Sequence, residues 1–282
     1  MNTVKSILIT GCSSGIGLYA AQQLQRQGYQ VFASARKPED VERLEQLGLN
    51  SLQLDLNDSL SIKNAVIRVL EQTQGELHAL FNNGAYGQTG AIEDLSREVL
   101  RAQFETNVFG THELTRLILP VMRRQGYGRI IQNSSILGFA AMPYRGAYNA
   151  SKFALEGLSD TLRQELYGSN IHISLIEPGP IVSHFRKNAL QAFNAFIDAE
   201  NSPHKQQYAS MLRRLEKEGP AAPFTLGPDA VYKKLLHALQ AKKPRARYYV
   251  TVPTYLMGFL KRILSTRFMD WVLIRAGGGG SR

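Results

Sequence analysis

Tyr148 and Lys152 stand four residues apart in "GAYNASKFALEG", and Ser135 precedes the tyrosine by thirteen positions. On a helix, residues four apart share a face, so the phenol and the ammonium would point the same way. A free tyrosine titrates at about 10 and is a poor acid or base at neutral pH. A neighbouring ammonium favours the phenolate and would bring the group toward the range where acid–base catalysis is efficient. Taken alone, such a pair is more often an exposed helix pair than a site. The serine upstream, and a glycine-rich loop much earlier in the chain, reverse that judgement.

That loop is "ILITGCSSGIG", where an apolar strand runs into a helix through Gly11, Gly15 and Gly17. Glycines at such a junction permit a tight turn and close approach of backbone to a ligand. Unpaired N–H groups at the helix start attract a pyrophosphate, so Ser13, Ser14 and Ile16 would share that contact. The same letters satisfy GxSxG, the nucleophile elbow of serine hydrolases, but an elbow needs strands and an oxyanion-hole loop before it, and only about ten residues precede. At the end of the second strand, "VFASARKPED" places Ala35 where an acid would bind an adenosine 2'-hydroxyl, and then Arg36 and Lys37. Cations there favour a 2'-phosphate, so NADP(H) is the expected cofactor. The six histidines (His78, His112, His172, His184, His204, His237) show no helical pair at metal-ligand spacing, and no metal is expected. His184 reads as structural. Glu39–Asp40 and Glu93–Asp94 read as helix-start charges, not as catalytic pairs.

The elements that must hold these groups follow from the apolar runs. Runs at 6–10, 29–34, 50–54, 78–82, 128–133, 171–176 and 248–252 suit strands buried on both faces. Helix-like stretches at 16–28, 38–48 and 59–75 alternate with them, which predicts an α/β fold: a doubly wound, mostly parallel seven-stranded Rossmann-type sheet with helices on both faces. Ala154, Leu158, Leu162 and Leu166 predict the buried stripe of the helix that carries Tyr148. The alternation stops between 183 and 227, read as a substrate lid within one catalytic domain spanning 1–252. A basic amphipathic extension follows at 253–276, and "GGGGSR" at 277–282 reads as a flexible tail.

Net charge is +10 over 282 residues. All of it falls beyond residue 199, which can mark an anionic partner. A nucleic-acid module is not expected, because no recognised motif or stacking platform accompanies the charge. The extension suits an interfacial helix on anionic lipid and equally a helix packed on the domain or on another subunit, and packing is the favoured reading. Cys12 is the only cysteine, so no intrachain disulfide forms and a reducing, cytoplasmic compartment is expected, with peripheral contact at the inner membrane surface left open. No stretch reaches the roughly 18 apolar residues of a spanning helix.

Together these residues resemble the short-chain dehydrogenase/reductase family, in its single-domain branch, over roughly residues 4–185. The likeness rests on "TGCSSGIG", Asp55 in "LDL", "NNGA" at 82–85, Asn107, Ser135, Tyr148, Lys152 and "PGP" at 178–180. Within that family the chain looks most like bacterial NADP-dependent aldehyde reductases, and more loosely like retinol and hydroxysteroid dehydrogenases. The resemblance implies hydride transfer to a carbonyl on an apolar substrate, with Tyr148 protonating the oxygen and Ser135 holding it. It implies that Lys152 binds the nicotinamide ribose and that Asn107 holds a water in a proton relay. Asp55 and Leu56 would meet the adenine, Asn82 would line its pocket, and Pro178, Gly179 and Ile181 would meet the nicotinamide. Ser183 would replace a threonine usual in the family, and "NNGA" exchanges the last two residues of the family's NNAG. A homo-oligomer is expected. The alternatives are a non-catalytic NADP(H) sensor or a peripheral membrane protein with a basic C-terminal surface.

Overall fold

The structure is a computed structural model and describes residues 4–220 and 222–277. Seven strands form one sheet: β1 (Ser6–Ile9), β2 (Gln30–Ala35), β3 (Asn50–Gln53), β4 (Ala79–Asn82), β5 (Gly128–Asn133), β6 (Ile171–Glu177) and β7 (Arg247–Tyr249). Their order is β3-β2-β1-β4-β5-β6-β7 and every neighbouring pair is parallel. Because side chains alternate across a strand, the inner strands β1, β2, β4, β5 and β6 each feed two cores. Ile7, Ile9, Val31, Ala33, Ala79, Phe81 and Ile131 pack on one face with Ala20, Leu24, Val231 and Leu235. Leu8, Phe32, Leu80 and Ile130 point the other way, onto Ile62, Val66, Leu114 and Ile118.

The first face is covered by α1 (Gly15–Arg26) and α9 (Pro228–Gln240), the second by α3 (Ser59–Gln72) and α5 (Thr111–Gln125). Helix α2 (Pro38–Gln46) starts where expected, with Pro38 in its first turn beside Glu39 and Asp40. Strand order reverses between β1 and β4, which opens a crevice above their carboxyl ends, where parallel sheets take their ligands.

Two expectations are corrected. The last strand ends at Tyr249, and Val252 begins helix α10 (Val252–Ile263). Pro253 sits in the first turn of that helix, where its missing N–H costs nothing. The tyrosine helix α6 (Gly146–Glu165) does not bury the leucine stripe evenly: Leu158 is exposed, while Tyr148, Ser151, Lys152, Leu155 and Ser159 are buried. A spacing of four advances about 40° per step on a helix of 3.6 residues per turn, so that stripe walks around the helix instead of staying on one face.

Between β6 and α9 the chain forms α7 (Phe185–Phe196) and α8 (Lys205–Glu216). Their Phe193, Ile197 and Tyr208 pack with Ala91. Tyr208 and Ser202 both donate to the Asp94 carboxylate, and the Ala91 N–H donates to the Tyr208 hydroxyl at 2.8 Å. Glu93 meets His204 at 2.5 Å. Glu93 and Asp94 are therefore anchors for this excursion and not only local helix charges. After α10, helix α11 (Thr266–Ala276) closes the described chain, and their Met257, Met269 and Leu273 join one cluster with Ile136, Leu137 and Tyr148. Apart from Gly277, the tail expected at 277–282 lies outside the described residues.

Candidate active site

Ser135 follows β5 and caps a single 3-10 turn, its hydroxyl accepting from the Leu137 N–H at 3.1 Å. The Ile136 N–H donates to the Pro178 carbonyl at 2.8 Å, which ties this turn to the "PGP" segment after β6. Tyr148 and Lys152 share the inward face of α6 as their spacing predicts, with the Lys152 Nζ 5.7 Å from the phenol ring centroid. The ammonium donates to the Asn133 carbonyl at 2.7 Å. Phe185, at the start of α7, lies against the phenol with ring centroids 5.2 Å apart. It can do so because residue 87 is glycine: a Cβ there would come within 2.5 Å of the Phe185 ring.

The electrostatics depart from the expectation that the ammonium holds the phenol below its ordinary value. Burial pushes the Tyr148 phenol up to about 12, with only the Ser135 hydrogen bond pulling the other way. Burial draws the Lys152 ammonium down to about 8, against support from the Glu156 carboxylate one helical turn on. Desolvation disfavours whichever form is charged, and in this enclosed position it outweighs the pair's mutual attraction. Burial thus favours the protonated form of the phenol.

Beside the lysine lies a partly buried ionic cluster that the sequence did not reveal. Arg247 of β7 donates to Glu156 at 2.5 Å, to Asp160 at 2.5 Å and to Glu177 at 3.1 Å. Burial raises Glu156, and burial together with the Glu156 charge raises Glu177, so the pair favours holding one proton between them. A cleft of about 410 Å³ opens over Glu156, Glu177 and Arg247 between Phe139, Phe153 and Tyr249, and includes none of Ser135, Tyr148 and Lys152.

Asn107 lies in a single π-helical stretch, Glu105–Gly110, between α4 (Arg97–Phe104) and α5. Its amide donates to the Tyr86 carbonyl and to the Ser151 hydroxyl, both at 3.0 Å, and accepts from the Tyr86 N–H at 3.2 Å. With those three bonds made, its side chain is a strut between the loop after β4 and α6. The stretch approaches Leu56 so closely that a Cβ on Gly110 would lie 1.8 Å from the Leu56 carbonyl oxygen.

The glycine loop fits a dinucleotide. Gly11 and Gly15 have φ of +70° and +57°, and a Cβ on Gly17 would sit 2.4 Å from the Gly11 carbonyl. Ser14, the residue before α1, makes no side-chain cap, and the first turn carries no acid, so its N–H groups suit a phosphate. Ser183 faces this loop, since a Cβ on Gly15 would meet its Cβ at 3.0 Å. Ile181 packs beside the first core and pairs with Leu226, while Gly179 is pressed onto Thr251. Asp55 accepts from the Asn57 N–H at 2.9 Å and Leu56 is buried after β3.

Asn82, at the end of β4, donates to Thr115 of α5 at 3.0 Å. The next residue, Asn83, points to the loop instead, donating to the Thr10 and Gly11 carbonyls at 2.9 and 3.1 Å and accepting from Asn133. Alternation along a strand sends the two neighbouring asparagines to opposite sides. Gly84 suits the same crowded corner, where a Cβ would lie 3.2 Å from both Leu56 and Thr10. Arg36 acts electrostatically on the Tyr86 phenol, and Lys37 makes an exposed 3.7 Å pair with Glu39. Arg43, not singled out by the sequence, pairs with Asp40 and donates to the Ser13 carbonyl at 2.5 Å.

The short chain dehydrogenase family model matches residues 5–193. The chain is 45% identical over 269 residues to the uncharacterized oxidoreductase YbbO of Escherichia coli K12, covering 95% of this chain and 94% of the relative. It is 41% identical over 253 residues to human retinol dehydrogenase 8, covering 86% and 80%. Its fold is similar to that of a short-chain dehydrogenase from Streptomyces avermitilis, with a TM-score of 0.78 at 28% identity over 98% of this chain and 99% of the other. Chains of similar fold are known with NAD and with NADPH. A strand–glycine-loop–helix at the sheet's switch point, with a serine, tyrosine and lysine gathered above it, therefore stands in a chain that belongs to the short-chain dehydrogenase family, whose members are oxidoreductases using a nicotinamide cofactor.

Proposed function

We propose that the protein reduces an aldehyde or ketone on an apolar substrate with NADPH, or oxidises the corresponding alcohol, with Tyr148 as acid and base. The observation that carries this reading is the placing of Tyr148 and Lys152 on one buried face of α6, the ammonium 5.7 Å from the phenol ring centroid, beside Ser135 at the carboxyl end of β5. When bound, the nicotinamide supplies the hydride. The Tyr148 phenol gives its proton to the carbonyl oxygen as negative charge develops there. The Ser135 hydroxyl donates to the same oxygen and fixes its position. Lys152 offsets the charge left on the phenolate and would reach the ribose hydroxyls, while Asn107 keeps the loop after β4 and α6 in register.

Arg36 and Lys37 at the end of β2 support a 2'-phosphate, and a carboxylate, which would oppose one, is lacking at residue 35. Ile136, Leu137, Phe185, Met257 and Leu273 around the phenol support an apolar substrate, in keeping with the retinol named for one relative. In this reading α7 and α8 cover the substrate, and the chain through residue 252 is one catalytic unit. Burial pushes the Cys12 thiol up to about 12, so it stays an unreactive thiol in this reading. Exposed Leu100, Phe109, Phe153 and Leu158 support self-association, which sedimentation measures.

The test is a panel of aldehydes and ketones with NADPH or NADH, followed by cofactor absorbance, with Tyr148→Phe alongside. Medium- and long-chain aldehydes with NADPH are expected to react, and Tyr148→Phe to lose roughly 100-fold or more in kcat. A Phe variant as active as the parent sinks the role given to the phenol.

A further inference from the structure

Helices α10 and α11 are two-faced. Their inner residues Met257, Met269 and Leu273 wall the cluster that contains Tyr148. Their outer residues face away from the cluster: Leu256, Phe259 and Ile263 on α10, and Phe268, Trp271 and Ile274 on α11, are all exposed, Phe259 by 59%, Phe268 by 66% and Trp271 by 54%. At 100° per residue, Leu256, Phe259 and Ile263 fall within roughly 60° of one another, which makes a stripe and not scattered exposure. Contiguous exposure of large apolar side chains marks a surface that something covers.

Charge on the same two helices selects the partner. Arg262, Arg267 and Arg275 flank the stripe, and the Arg275 guanidinium stacks 3.8 Å from the Trp271 ring centroid. Lys261 turns inward to the Phe139 carbonyl at 2.6 Å, and Asp270 is the one acid. A second copy of this chain, joined about a two-fold axis, would set this patch against itself and bring the arginines together. An anionic lipid surface neutralises them, takes the aliphatic side chains below the headgroups and seats Trp271 at the boundary. Neither helix, nor any other among the described residues, is long and apolar enough to cross a membrane, so the contact lies in the interface plane.

We infer that the outer face of α10 and α11 docks on an anionic lipid surface, and that a bilayer-dissolved carbonyl substrate reaches the site past the inner faces of the same helices. The docking stands on this geometry alone; the delivery of substrate rests on the reductase reading above.

Trp271 is the only tryptophan, so its emission reports on this face directly. The full chain is mixed with vesicles of phosphatidylcholine or of an equimolar phosphatidylcholine–phosphatidylglycerol mixture. The expected result is a blue shift and roughly tenfold or more co-sedimentation with the anionic vesicles only, reversed by high salt. Phe259→Glu with Phe268→Glu should abolish both while leaving reduction of a short, water-soluble aldehyde unchanged. Emission and sedimentation indifferent to anionic vesicles at low salt overturn the docking. So does a blue shift that grows with protein concentration alone, which would assign the face to a second copy. Vesicle binding by a protein that reduces no carbonyl would leave the docking intact and remove the reductase reading instead.

Discussion

Glu156 is the one carboxylate acting on the Lys152 ammonium, which burial has already drawn down to about 8. Simple titration then leaves the lysine about nine-tenths charged at pH 7 and about one-tenth charged at pH 9. An opposite charge nearby is worth roughly 1–3 pH units, and Glu156 divides its charge between Lys152 and Arg247, so Glu156→Gln should lower the lysine by about one unit. The charged fraction at pH 8 then falls from about half to about one-tenth, and the half-point moves to about 7. At pH 6 it hardly changes. Glu177 will ionise more readily once its neighbour is neutral, but it does not act on Lys152 and cannot replace the lost charge there. The assay is kcat/KM for carbonyl reduction as a function of pH. Tyr148, pushed up to about 12, stays protonated throughout, so the alkaline limb reports the lysine. The expected outcome is a limb displaced about one unit to lower pH, a roughly fivefold loss at pH 8 and near-parental activity at pH 6, with Glu156→Asp intermediate. An unmoved limb, or a loss equal at every pH, refutes the argument.

Lys152→Met should abolish activity yet stabilise the fold. Because the lysine's folded-state pKa lies below its unfolded value of about 10.4, its charge costs stability below about pH 8, and that cost vanishes above about 10.5. The full shift corresponds to about 3 kcal/mol, and loss of the bond to Asn133 offsets part, so urea unfolding should show a gain of about 1–2 kcal/mol at pH 7 and none at pH 10.5. Arg36→Ala should weaken NADPH binding by about 10- to 100-fold in a fluorescence titration and leave NADH within about twofold; equal loss of both would remove the 2'-phosphate assignment. Gly110→Ala must push a methyl group into the Leu56 carbonyl, so it should cost about 3 kcal/mol in denaturant unfolding, and a neutral result would contradict the close approach.

What the sequence shows and what it hides divide along physical lines. The inner strands were legible because they are buried on both faces and must be mostly apolar, and the switch from runs of that kind to helical spacing marks every βα step from β1 to α3. The shared face of Tyr148 and Lys152 was legible because it depends only on helical geometry. The final strand was misjudged at its end because "YYVTV" reads as extended until Pro253, and a proline can as well open a helix as end a strand. The sign of the phenol's shift was not legible at all. Spacing places an ammonium beside it, but only folding decides how much water both groups lose, and that loss comes from the wall made by Phe185 and the C-terminal helices. Phe185 is itself set by a glycine far away in the chain, and Glu156 gains its meaning from Arg247 on the last strand. In the proposed reduction the chemistry therefore turns on a contest between burial and charge: burial keeps the phenol protonated for the donor role proposed for it, and the carboxylate one turn below keeps the lysine charged enough to receive the phenolate.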